Sequence, residues 1–240
     1  MDIRDRAHKY EYKLNDTDDQ IIDYLVKNME FVITVSIQAL AKELYTVPNT
    51  ITRLSKKLGY DGFSHLKNSL KEELRTDRTQ GDSVQNNISR TLKLVDNEII
   101  EKIVQRLCHS QRIYIYGVGD TLPFCEILST HIKIGGMSTE HFLHRHDAIY
   151  AINHAKPQDL VILISVSGET KGILEVMKLA KEKGVSVVSI THFSKNSLER
   201  QANYRLFFYS PKKKLENYNV SDKTPIMLII QLLSNALWEL

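Results

Sequence analysis

No stretch of this chain is apolar for long enough to cross a bilayer. The longest runs, such as Leu160–Ile164, fall far short of the roughly 20 residues that a spanning helix needs, so no membrane partner is expected. Residues Met1–Lys13 alternate acids and bases without an apolar core; they do not read as a secretory signal, and the cytoplasm is the expected compartment. Cysteine is scarce: Cys108 and Cys125 lie in segments of helical pattern without CxxC spacing, against both a disulfide framework and a zinc site. Among the nine histidines, His141, His144 and His146 stand close together, but no carboxylate-rich stretch accompanies them. Ordinary polar loop chemistry is expected there, and no metal. Internal repeats and low-complexity tracts are also missing. A net charge of +3 is too small to argue for nucleic-acid binding by itself.

What is present is an ordinary soluble composition, 42% hydrophobic and 25% charged, with a change of pattern partway along. At 240 residues the chain is long enough for one large domain or two of usual size. From Thr17 to Leu74 apolar residues recur at helical spacing: Ile21, Ile22, Leu25 and Val26, then Ile37, Leu40, Ala41 and Leu44, then Ile51, Leu54 and Leu58. From Ile113 onward short Ile- and Val-rich runs (Ile113–Tyr116, Leu160–Ser165, Val185–Thr191, Tyr204–Tyr209) alternate with amphipathic stretches. Such runs predict strands of a parallel sheet buried on both faces. Thr121–Ile134 and Thr170–Lys183 read as crossover helices, the second stopped by Gly184. Between the two patterns lies TDRTQGDSVQNN, residues 76–87, polar enough for a linker. A helix is expected from about Ile88 to Leu107. The expected organisation is an all-α domain over 1–75, a linker over 76–87 and an α/β domain over 88–240.

Within the first domain the charge is uneven. Residues 36–71 carry six bases (Lys42, Arg53, Lys56, Lys57, Lys67, Lys71) against two acids (Glu43, Asp61), the kind of local patch that tracks phosphates. Ser36 can cap a helix bearing Ile37, Leu40, Ala41 and Leu44. After a break at Tyr45–Val47, Pro48 suits the first turn of a second helix that buries Ile51, Leu54 and Leu58 and ends at Gly59. Two short helices joined by a tight turn make a helix-turn-helix, whose second helix can enter the major groove. Its candidate contacts are Asn49, Thr50, Thr52, Arg53, Lys56 and Lys57, with Asn49, Arg53 and Lys57 at i, i+4 and i+8 on one face. Asn suits adenine edges, Arg suits guanine or phosphate, and Lys suits phosphate. On pattern alone, a solvated face of a small bundle is the alternative.

In the second domain, Gly117-Val118-Gly119-Asp120-Thr121 follows the first strand. Leu122 and Pro123 occupy the place of a third glycine, so a dinucleotide fingerprint is absent and no cofactor is expected. More informative is Ser165-Val166-Ser167-Gly168-Glu169-Thr170, between a strand and a helix. Hydroxyls around a helix N-terminus, at the carboxyl end of a strand, suit an anion such as phosphate; an ordinary capped turn is the alternative. Thr191, ending the next strand, is placed to contribute from the neighbouring loop.

The stretch SIQALAKELYTVPNTITRLSKKLGYDGFSHLKNSLKEEL resembles the N-terminal domain of the RpiR/MurR family of regulators. Ile113–Tyr209, with SVSGET its most specific element, resembles the sugar isomerase (SIS) domain, a five-stranded parallel α/β fold that binds phosphosugars. The resemblance implies a regulator of carbohydrate-metabolism genes, with an operator DNA and a phosphorylated sugar effector as partners. It implies that Ser165, Ser167 and Thr170 hold the phosphate while Thr121 closes the site; Gly117, Gly119, Gly168 and Glu169 complete the two loops. This chain departs from the family in Val47, where serine is usual, in Lys223, where arginine is common, and in Gln231, where aspartate is common. The final helix, Asp222–Leu240, carries Ile226, Ile229, Ile230, Leu233 and Leu237, more apolar surface than one stripe, and a homodimer or homotetramer is expected. The competing class is an aldose–ketose phosphate isomerase. Isomerisation needs a base beside a carbonyl, and only Glu169 and His192 are adjacent candidates, so no catalytic residue is assigned and a non-enzyme is expected.

Overall fold

The structure, a computed structural model, describes residues 3–80, 83–216 and 218–240. It divides into two compact units, one ending at Asn86 and the other running from Asn87 to Leu240.

The first unit is helical: α1 (Ile3–Lys9), α2 (Asp16–Lys27), α3 (Met29–Val32), α4 (Ile37–Glu43), α5 (Pro48–Lys57) and α6 (Phe63–Gln80). Apolar residues at helical spacing, among them Ile21, Leu25, Leu40, Ile51, Leu54, Leu58 and Leu66, make one core. Ser36 caps α4 by accepting the Ala39 amide at 3.2 Å. The connection to α5 is unusual, because Tyr45 takes φ +49° where glycine is the common residue. The amide of Thr46 donates to Ala41 O at 2.8 Å and that of Tyr45 to Lys42 O at 3.2 Å, so the left-handed residue closes the last turn of α4. Pro48 then opens α5, with Val47 before it offering no side-chain cap.

Helix α7 (Val84–Leu94) and helix α8 (Asn97–Cys108) follow. The single helix expected from Ile88 to Leu107 is therefore two, broken at Val95 and Asp96. The physical reason is Asp96, whose carboxylate accepts from the amides of Glu98 and Ile99 and so starts a new helix. The polar stretch 76–87 is mostly helical: α6 runs to Gln80 and α7 starts at Val84, with residues 81 and 82 outside the described ones.

The second unit alternates strands and helices: β1 (Ile113–Gly117), α9 (Leu122–Ile134), β2 (Thr139–Phe142), α10 (Arg145–Asn153), β3 (Leu160–Ser165), α11 (Lys171–Glu182), β4 (Ser186–His192), α12 (Ser197–Gln201) and β5 (Tyr204–Phe208). Among the described residues these strands form one five-stranded sheet in the order β2-β1-β3-β4-β5, every pair parallel. Alternate residues serve opposite faces. Ile113, Ile115, Ile162, Ile164, Val188 and Ile190 pack on α8, α9 and the final helix, α13 (Thr224–Trp238). Tyr114, Tyr116, Val161, Leu163 and Val187 pack on α10, α11 and α12. Between β5 and α13 a small antiparallel pair, β6 (Lys214–Leu215) and β7 (Tyr218–Asn219), forms a strap.

The apolar excess of α13 has an explanation within the chain. Ile226, Ile229, Ile230, Leu233 and Leu237 are all buried against the second unit's own core. The exposed side carries Thr224, Asn235 and Trp238 with half-buried Leu228 and Gln231. The helix is broadly covered because it packs at once on α8, α9 and β5.

Candidate functional sites

Helix α5 is held from behind by two elements. Asp18 of α2 closes a capping box with Asn15 and also binds Lys57 Nζ at 2.5 Å. Arg6 of α1 donates to Leu58 O and Gly59 O at 3.2 and 3.1 Å, which puts a cation on the carbonyl end of α5, where the helix dipole favours it. These contacts sort the expected DNA residues. Asn49, Arg53 and Lys56 are exposed, and Thr50 and Thr52 are half-buried. The Thr52 hydroxyl donates to Pro48 O at 3.1 Å. Lys57, expected on the contact face, instead turns to the buried Asp18 carboxylate, and its side chain is only 28% exposed. Lys67 likewise donates to Val35 O at 2.8 Å. The exposed cations of the basic stretch are thus Lys42, Arg53, Lys56 and Lys71. The grip of Arg6 on α5 had no signal in the sequence, since 52 positions separate it from Leu58.

The second site follows from strand order. The chain leaves β1 for β2 on one side, whereas β3, β4 and β5 build outward on the other. In such a sheet a crevice opens at the carboxyl ends of the strands where the order reverses, here between β1 and β3. A cavity of about 360 Å³ lies there, lined by the loops after β1, β3, β4 and β5.

The SVSGET loop forms its floor. Ser165 Oγ accepts the Gly168 amide at 3.1 Å and lies 3.3 Å from Thr170 Oγ1. Ser167 Oγ accepts the Glu169 amide at 3.2 Å. All three hydroxyl residues line the cavity, at the start of the 12-residue helix α11. Gly168 has φ +66°, and a Cβ there would lie 2.0 Å from Asn196 Oδ1, so no other residue fits. Gly117 is similarly required: a Cβ would lie 2.5 Å from Thr121 Oγ1 and 2.7 Å from Cys125 Sγ. Gly119 turns the chain beyond it. Burial pushes the Cys125 thiol up to about 12, so it stays protonated beneath the loop.

Three expected site residues behave differently. Thr121 lines the cavity, but its hydroxyl is spent on the fold, donating toward Val118 O and Ile164 O and accepting from the Val118 amide at 2.9 Å. It ties the β1 loop to the end of β3. Thr191 is wholly buried with its hydroxyl unpartnered. Successive strand residues face opposite sides, so its neighbour His192 lines the cavity in its place. Glu169 points elsewhere: its carboxylate accepts the Ser197 amide at 2.6 Å, at the start of α12. Sequence reasoning also missed Ser194, Ser210, Lys212, Asn219 and Ser221, which complete the wall. The signal was available, since polar residues directly after β4 and β5 lie at the same carboxyl edge as SVSGET. Lys212 is the lysine among these lining residues.

Among the described residues no group of three or more His, Cys, Asp or Glu is arranged to hold a metal. His144 and His146 stack at 5.5 Å on the surface. No helix among the described residues is long and apolar enough to cross a membrane.

Both units are similar to known domains. Residues 106–236 match the model of the SIS domain, and residues 1–77 that of the helix-turn-helix domain, rpiR family. An uncharacterized HTH-type transcriptional regulator of Clostridium perfringens is 26% identical, over 97% of this chain and 91% of its own length. The HTH-type transcriptional regulator GlvR of Bacillus subtilis is 26% identical, over 95% of this chain and 89% of its own. Among solved structures, Vibrio vulnificus NanR complexed with ManNAc-6P has the same fold, with a TM-score of 0.62 at 24% identity over 99% of this chain and 92% of that one.

Proposed function

The chain belongs to the SIS-domain family and joins that domain to a helix-turn-helix of the rpiR family, and from this premise we propose that it is a transcription regulator controlled by a phosphorylated sugar. The observation that carries the reading is the hydroxyl-rich cavity at the N-terminus of α11, in a chain that also presents a basic recognition helix. A cavity of about 360 Å³ is at the small end of ligand sites, which run from roughly 300 to 1,000 Å³, and suits a single sugar. The phosphate sits against Ser165, Ser167 and Thr170, where backbone amides and the helix dipole favour an anion. Lys212 supplies the nearby positive charge. NanR carries ManNAc-6P in its structure, which makes hexosamine and hexose 6-phosphates the first compounds to try here.

In the helical unit, Asn49, Arg53 and Lys56 of α5 are the DNA contacts, with Arg53 at the centre of the exposed face. The sugar is an effector and not a substrate. The carboxylate of SVSGET is committed to the start of α12, and Asp120, which lines the cavity, lies 3.5 Å from Lys223. Neither carboxylate is poised as a base beside a sugar carbonyl, and the imidazole of His192, which also lines the cavity, packs against the rings of Phe208 and Tyr209. One recognition helix makes few base contacts, so the working form is a symmetric dimer or tetramer in the cytoplasm.

The test is a melting screen of the full chain against sugars and their 6-phosphates. A ligand at 100 times its Kd stabilises a fold by about 2.7 kcal/mol. A phosphorylated sugar is expected to raise Tm, its free sugar to leave it unchanged, and Thr170→Val to remove the shift. Equal shifts with both forms would defeat the phosphate site. Conversion of the sugar phosphate by the purified protein would return the isomerase.

A further inference from the structure

The two helices of the helix-turn-helix are joined through a residue that is unfavourable twice over. Tyr45 takes φ +49°, a backbone conformation that glycine adopts freely and a side chain disfavours. Its side chain gains nothing by packing, because the residue is 99% exposed. Tyr12, the other exposed tyrosine described in this unit, at least lies beneath Lys13, whose Nζ stands 5.2 Å from its ring centroid. Backbone strain of this kind clusters at sites that bind or switch. The surroundings of Tyr45 indicate the partner. Its amide donates to Lys42 O at 3.2 Å, so it lies against the last turn of α4, and three residues later Pro48 opens α5. Lys42, Arg53 and Lys56, on the two helices that it joins, are exposed. The acid nearby on α4, Glu43, is committed elsewhere, since it accepts from the Tyr24 hydroxyl of α2. The exposed charge on either side of Tyr45 therefore suits a polyanion.

We propose that Tyr45 is a DNA-backbone contact, its hydroxyl donating to a phosphate oxygen at the rim of the groove that α5 enters. The inference rests on the DNA-binding reading above and adds to it an uncharged contact outside the recognition helix. When a helix-turn-helix docks, the N-terminal residues of its second helix face the base edges. The segment leading into that N-terminus therefore crosses the sugar–phosphate rim, where tyrosine is among the usual phosphate contacts. Glycine in place of Tyr45 would close α4 with less strain but would carry no donor to that rim. The phenol is also a stiff arm, because only two side-chain torsions have to be fixed on contact. A hydroxyl, unlike a lysine or arginine, displaces no counterion when it meets a phosphate, so its contribution does not fade with salt.

The experiment compares wild type, Tyr45→Phe and Tyr45→Gly as full-length chains on two duplexes, one recovered by wild type from a random pool and one of unrelated sequence. Duplex Kd is measured by fluorescence anisotropy over a series of salt concentrations, and folding by urea melts. Both variants are expected to bind both duplexes about tenfold more weakly, the loss expected for one hydrogen bond to a charged group. The slope of log Kd against log salt should stay that of wild type. Tyr45→Gly should at the same time raise the urea midpoint, which separates its loss of affinity from any damage to the fold. Tyr45→Phe keeps both ring and backbone, so it decides the matter if Tyr45→Gly folds poorly. Wild-type affinity in Tyr45→Phe overturns the hydroxyl contact. A loss confined to the selected duplex also overturns it, since that result assigns the ring to a base. Unchanged Kd together with smaller species in sedimentation overturns it in favour of a contact between copies of the chain. In each of these cases wild type still binds DNA and the functional reading stands, whereas failure of wild type to bind any duplex overturns both.

Discussion

At the residue scale, helix α5, the proposed recognition helix, contains cations of different kinds. Arg53 is exposed and free to meet DNA, whereas Lys57 is bound to the buried carboxylate of Asp18. Truncating Arg53 should therefore cost DNA affinity about 1–3 kcal/mol if it reads a base, with no change in the unfolding midpoint. Lys57→Ala should do the reverse. It leaves Asp18 without its ion-pair partner, a loss of about 1 kcal/mol of stability for a pair at the edge of the core, and leaves duplex affinity within about threefold. Parallel urea melts and anisotropy titrations of the two variants separate these effects. A large affinity loss in Lys57→Ala with unchanged stability would put Lys57 back on the contact face.

At the element scale, the turn between α4 and α5 carries a strained residue. Tyr45 holds a left-handed conformation and is 99% exposed, so it bears backbone strain without packing to offset it. Left-handed backbone costs a side-chain-bearing residue roughly 1–2 kcal/mol. Tyr45→Gly should therefore stabilise the helical unit by about 0.5–1 kcal/mol, after allowing for the extra chain entropy of glycine. A denaturant melt measures this directly, and a destabilised Tyr45→Gly would mean that the exposed ring has a role in the folded chain. The two loops of the α/β unit are the opposite case. Gly117 and Gly168 stand where any Cβ collides with Thr121 or Asn196, and Thr121 gives its hydroxyl to bind the β1 loop to β3. The hydroxyls of SVSGET are thereby presented on a rigid edge.

At the scale of the whole molecule, two recognition helices on a two-fold axis should read half-sites separated by about one helical turn of DNA or a multiple of it. Sequences of duplexes selected from a random pool test this: inverted repeats at such spacing are expected, and a single unrepeated site would argue for a monomeric reader. Much of this molecule was legible beforehand. The spacing of Leu40, Ile51, Leu54 and Leu58 marked α4 and α5, because a helix that packs on one side repeats its apolar residues every three to four positions. Runs such as Leu160–Ser165 marked the parallel strands, since a strand covered on both faces has no polar side. SVSGET stood out because hydroxyls at a strand end and helix start, neighbours in sequence, are the pattern that suits an anion. What the tertiary structure alone decided was which of these side chains remain available. Lys57 went to Asp18, Glu169 to the start of α12, and Thr191 into the core beside His192, which is half-buried and lines the cavity. It also decided that Lys212 and Asn219 reach a cavity floored by Ser165, and that Asn87 meets Asp222, 135 positions later. Local periodicity reports how a segment packs; a side chain's partner across the fold depends on which distant segment the packing brings to it.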